Sequence, residues 1–172
     1  MTNNPQYLIV HHGGGTDADP LANTSNHTAE TINAWHRHLW NFKSSLGWYV
    51  GYHYVIEKSG KVVQCRADNE EGAHCIGKNR SSIGIVLCGN FDSTVPTKEQ
   101  EEALRLLIQR LAKKHNIAKS AVVPHRKFVN KSCYGRRLPD DWAAAFLSEI
   151  DNRTALSEYS TIELIAELRR RW

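Results

Sequence analysis

No stretch of this 172-residue sequence approaches the roughly 20 consecutive apolar residues that cross a bilayer, so membrane insertion is not expected. The opening Met1-Thr2-Asn3-Asn4-Pro5 has neither a positive region nor a following apolar stretch, and a cytoplasmic product without a signal peptide is expected. There is no C-x-x-C pair, which argues against a zinc-finger staple. Internal repeats and low-complexity segments are absent too, which sets aside repeat architectures. One-sided charge is also scarce. The net charge is +4, the pI is about 8.9, and part of the excess sits in Arg169, Arg170 and Arg171. That field is mild, no recognised nucleic-acid motif accompanies it, and nucleic acid is not expected as a partner.

What remains is an ordinary globular composition. Apolar residues make up 41% of the chain, enough for one compact domain that needs no disulfides. Cys65, Cys75, Cys88 and Cys133 are therefore expected to be free thiols in a reducing compartment. Nine histidines is a high count, and their positions must decide which of them matter.

Tyr7-Leu8-Ile9-Val10 reads as a buried strand ending in His11-His12 and an open Gly13-Gly14-Gly15 loop. The glycine run is not a phosphate loop, because no Lys-Ser/Thr follows it and no helix opens directly behind it. Residues 28–40 read as a helix with Ile32, Trp35, His36, Leu39 and Trp40 on one face. Residues 50–57 and 61–66 read as a hairpin about Lys58-Ser59-Gly60. Residues 68–80 read as a long polar surface loop of the kind that is often functional. Residues 82–87 read as a central strand. Thr97 and Gln100 form a capping box for a helix running to about His115. Residues 121–123 read as a strand that delivers Pro124-His125, and Pro139 opens a last core helix carrying Trp142, Phe146 and Ile150. The expected fold is α/β: one domain over residues 1–150, a mixed sheet flanked by helices. A linker and a short amphipathic helix fill 151–172. That tail either packs back on the domain or docks to a second copy or another protein.

Three chemically useful side chains lie where strands hand over to loops: His11 or His12, Tyr52 within Val50-Gly51-Tyr52-His53-Tyr54, and His125, with Cys133 eight positions on. Strand ends are where open α/β sheets place their sites. A catalytic zinc takes three protein ligands and an open position, and it lowers the pKa of its water to about 7. Two imidazoles and a thiolate suit such a set. Neighbours on a strand face opposite ways, so only one of His11 and His12 serves, and the apolar run before them does not choose between the two.

Ile9-Val10-His11-His12, Val50-Gly51-Tyr52-His53-Tyr54, Ser82-Ile83-Gly84-Ile85 and His125 with Cys133 together resemble the type 2 N-acetylmuramoyl-L-alanine amidases. That family includes phage endolysins and peptidoglycan recognition proteins, and the resemblance covers roughly residues 5–150. It implies one zinc ion held by His11, His125 and Cys133. It implies Tyr52 as a catalytic group that moves a proton to the leaving amine, and Lys131 as the group that steadies the oxyanion. It implies His36, His74 and Asn79 along the substrate groove, and peptidoglycan as the partner. Members that only bind the wall commonly lack the Cys133 ligand. Tyr134 departs from the commoner pattern, in which proline follows that cysteine. Cys65, Cys75 and Cys88 then remain, an odd number that agrees with free thiols. The implied protein is a phage or prophage endolysin, released to act on the wall. A cytoplasmic recycling amidase, a non-catalytic wall-binding module and a hydrolase with Cys133 as nucleophile and His125 as base are the alternatives. The last of these gives His11 no role.

Overall fold

The computed structural model describes residues 2–16 and 18–147. The expected tail helix and Ile150 lie outside the described residues. No helix among the described residues is long and apolar enough to cross a membrane.

The five strands are β1 (Tyr7–His12), β2 (Tyr54–Ile56), β3 (Val62–Gln64), β4 (Ser82–Leu87) and β5 (Val122–Pro124). They form one sheet in the order β3-β2-β4-β1-β5. β1 pairs in parallel with β4 and β5, β2 pairs in parallel with β4, and β3 closes one edge antiparallel to β2. The expected mixed sheet is therefore present, with hairpin strands shorter than their apolar patterns suggested. Five of the six residues of β1 and all six of β4 are buried, as parallel strands covered on both faces require.

Alternation along the strands makes two cores. Leu8, Val10, Ile83, Ile85 and Leu87 face α2 (Lys98–His115) and α3 (Trp142–Ala145). Ile9, Val55, Val86 and Cys88 face the opposite way, where α1 (Ala29–Trp40) and the 68–80 loop cover them. The predicted capping box of α2 is formed. Thr97 accepts from the Gln100 N–H, and the Gln100 side chain accepts from the Thr97 N–H. The Gln100 amide also donates to the carbonyls of Ile56 and Cys88, tying the helix start to the strand ends.

Two expectations need correction. The apolar stripe of α1 is not a core face throughout. Ala29, Ile32 and His36 are buried, whereas Trp35 is 61% exposed and Leu39 and Trp40 are nearly half exposed. Periodicity puts these side chains on one side of the helix, but only Ala29 and Ile32 join the core cluster with Val55, Val86 and Cys88. The last core helix is a single turn at Trp142–Ala145, beginning three residues after Pro139.

The 68–80 loop is anchored rather than hung in solvent. Arg66, 1% exposed, donates to the carbonyls of Val50, Phe42 and Glu71. His53 accepts the Gly84 N–H on Nδ1 and donates from Nε2 to the Glu70 carbonyl. Asp68 accepts hydrogen bonds from Tyr54 at 2.6 Å, Lys114 at 2.7 Å and His115 at 2.9 Å. Burial alone would raise the Asp68 pKa, but these donors and the Lys114 charge hold it down at about 2.

A carboxylate depressed from 3.8 to about 2 stabilises the fold above its unfolded pKa, and that contribution disappears as pH falls from about 4 through about 2. Asp68→Asn is expected to cost about 2 kcal/mol at pH 7. In urea denaturation across this range, the gap between wild type and variant should close as the pH drops.

Candidate metal centre and cleft

The alternation of β1 chooses between the two histidines. Ile9 and His11 lie on the α1 face, while Leu8, Val10 and His12 lie on the α2 face. His12 is buried there, and its Nδ1 accepts the Phe91 N–H at 2.9 Å. His125 follows directly on β5, whose Pro124 pairs with Val10. The Cys133 loop returns beside them, so that the candidate ligand atoms of His11, His125 and Cys133 all lie within 4.8 Å of one another. His11 Nδ1 is 3.7 Å from Cys133 Sγ, and the rings of His11 and His125 are 4.3 Å apart. No other such cluster of three donors occurs among the described residues. Two imidazole nitrogens and one sulfur, with no carboxylate among them, fit zinc by donor type and number.

The Cys133 loop is held by its neighbours. Arg126 donates from its backbone to the Cys133 carbonyl and from its guanidinium to the carbonyls of Ser132, Gly135 and Leu138. Asp92 accepts from the Ser132 hydroxyl at 2.6 Å and from the Arg136 N–H at 2.8 Å. Tyr134 is fully buried against Trp142 with its hydroxyl in reach of the Pro139 and Asp140 carbonyls.

Burial sets the charge states. It lowers the His11 pKa well below the ordinary value, with help from His74, His125 and His12. It lowers His125 to about 4, reinforced by the Lys131 charge. It pushes the Cys133 thiol up to about 12. Burial thus works against the thiolate that a cysteine nucleophile needs, and a Cys133–His125 hydrolase would leave the neighbouring His11 without a role. At neutral pH the imidazoles are uncharged and present lone pairs, while the thiol keeps one proton.

A cleft of about 390 Å³ is lined among others by Gly13, Thr16, Ile32, Trp35, His36 and Tyr52; His11, His125 and Cys133 are not part of its lining, and Tyr52 is the link between the two. Tyr52 belongs to both, since its ring lies 5.0 Å from that of His11. Burial, then the Cys133 and Cys88 thiols, raise the Tyr52 pKa, so the phenol keeps its proton at neutral pH. His36 lines the cleft between Trp35 and Trp40, with Nδ1 accepting the Gly51 N–H. Lys131 is exposed on the loop, two residues before Cys133. His74 and Asn79 lie elsewhere. His74 sits behind His11, its Nδ1 3.1 Å from His11 Nε2, and Asn79 accepts the backbone N–H groups of His74 and Cys75. Arg126 and Asp92, the residues that hold the Cys133 loop, carry no local signal in the sequence, because a side chain that serves distant carbonyls or hydroxyls follows no local pattern.

This is an α/β domain with a two-histidine, one-cysteine donor set at the ends of parallel strands. The family described as N-acetylmuramoyl-L-alanine amidase (Amidase_2) matches residues 1–136, and the chain belongs to that family. Peptidoglycan-recognition protein SD of Drosophila simulans is 31% identical over 126 residues, covering 72% of this chain. The chain spans 63% of the length of that relative. Among solved structures, the N-acetylmuramoyl-L-alanine amidase LysC from Clostridium intestinale URNW superposes with a TM-score of 0.70 at 28% identity, covering 85% of this chain and 87% of the other. The endolysin amidase LysCS from the same organism gives 0.69 at 27%, covering 85% of each.

Because burial pushes the Cys133 thiol up and keeps the imidazoles neutral, binding of one zinc ion at pH 7 is expected to release about one proton, from Cys133. Calorimetry in buffers of different ionisation heat measures that number. The affinity should accordingly rise about tenfold per pH unit above neutrality, until zinc hydrolysis intervenes.

Proposed function

We propose that this chain is a zinc-dependent N-acetylmuramoyl-L-alanine amidase, cutting the amide that joins the lactyl group of N-acetylmuramic acid to L-alanine in bacterial peptidoglycan. The observation that carries the proposal is the convergence of His11, His125 and Cys133 within 4.8 Å, with Tyr52 set between His11 and the neighbouring cleft. Endolysin action, with release from the producing cell to reach the wall, is the setting that the LysCS likeness supports.

A zinc ion held by these three residues supplies Lewis acidity at the scissile carbonyl and acidifies the attacking water. The protein's own groups do the rest. Tyr52 holds its proton at neutral pH and faces the cleft, so it donates to the substrate oxygen or the departing amine. Lys131, close enough for its charge to lower the His125 pKa, stabilises negative charge on the carbonyl oxygen in the transition state. Trp35, 61% exposed, offers a flat face along the cleft for the substrate, and His36 packs behind it.

Digestion of purified cell walls, with mass analysis of the fragments, tests the reading. Free stem peptides with N-terminal alanine are expected, lost with chelator and restored by zinc. His125→Ala should abolish release. Tyr52→Phe should lower kcat by about 10²-fold or more with the protein still folded. Wall binding with no release of peptides would instead make the protein a recognition module.

A further inference from the structure

His74 and Ser82 lie behind the ligand cluster, outside the cleft lining, and join it through one chain of hydrogen bonds. The Ser82 hydroxyl lies 2.7 Å from the Lys78 carbonyl. A carbonyl only accepts, so the single hydroxyl proton is committed to it. Toward His74 Nε2, 3.4 Å away, the Ser82 oxygen can then only accept, which places the His74 proton on Nε2. A neutral imidazole carries one N–H, so His74 Nδ1 is bare. That nitrogen lies 3.1 Å from His11 Nε2 and must accept from it. The His11 proton is therefore on Nε2, and its Nδ1 is the lone pair facing Cys133 Sγ at 3.7 Å.

The fold builds room for this arrangement. A Cβ at Gly84 would come within 2.5 Å of the His74 ring, and one at Gly72 within 2.6 Å. Asn79 holds the His74 backbone by accepting its N–H at 2.9 Å. We propose that Ser82 and His74 form a proton-ordering relay that fixes His11 as the Nε2–H tautomer, so that its Nδ1 lone pair is aimed where His125 and Cys133 converge. His74, Asn79 and Ser82 are then positioning residues that act through His11, not substrate contacts. Metal-ligating histidines generally depend on such a partner, and its loss typically costs 10- to 100-fold in metal affinity. The proposal rests on the metal reading of the cluster, but the relay itself is a property of the metal-free protein.

Long-range ¹H–¹⁵N correlation spectra of the metal-free protein at pH 7 read the tautomers directly. His11 and His74 should both show a protonated Nε2 and a bare Nδ1, and a proton on His11 Nδ1 would overturn the relay. Ser82→Ala should weaken zinc binding, by less than the roughly tenfold or more expected for loss of His74, the direct partner of His11. A folded Ser82→Ala protein with unchanged zinc affinity would also overturn it. Should that variant fail to fold, the wild-type spectrum still decides. If wild type shows the expected tautomers yet takes up no zinc, the metal reading fails and the proton order stands.

Discussion

The parallel pairing of β1 with both β4 and β5 is the constraint on which the site depends. It brings the end of β1, carrying His11, beside the end of β5, after which His125 stands. A parallel neighbour requires a long crossover, so these two histidines are 114 positions apart in the chain and adjacent in space. The sheet fixes their backbones without any metal. The third donor is different, because Cys133 belongs to a loop and its position must be enforced by side chains.

That enforcement comes from groups with no part in the chemistry. Arg126 gathers the carbonyls of Ser132, Gly135 and Leu138, and Asp92 catches the Ser132 hydroxyl and the Arg136 N–H. Charge-assisted hydrogen bonds of this kind hold a loop more stiffly than neutral ones do. Behind the other edge, Arg66, His53 and Asp68 do the same for the 68–80 loop, which supplies His74. The site is thus a small set of reactive groups inside a larger set of buried polar braces. A metal site needs that order before binding, because a loosely held ligand pays its entropy at the moment of coordination.

The split of roles between adjacent His11 and His12 shows what alternation accomplishes. One ring joins the donor cluster, while the other turns into the opposite core and accepts the Phe91 N–H. Phe91 precedes Asp92, so His12 indirectly steadies the residue that holds the Cys133 loop. Both histidines of the pair serve the same centre from opposite faces of one strand.

Much of this was legible in the linear sequence. Apolar runs announced β1 and β4, the Thr97–Gln100 box announced α2, and His11, His125 and Cys133 stood out by residue type and order. Such features are local, and the physics behind them acts within a few residues. The stripe of α1 misled, since periodicity reports that Trp35 and Trp40 share a side but not whether anything covers it. His74 and Asn79 were visible as polar residues in a loop with glycines, yet their placement behind His11 depends on Gly72 and Gly84 leaving space for a ring. By itself, then, the sequence determined the elements, the mixed α/β class and the donor types. Which histidine joins the cluster, which groups line the cleft and which stand behind it were decided only when distant segments packed, because face, distance and proton order are relations between residues that the chain does not place side by side.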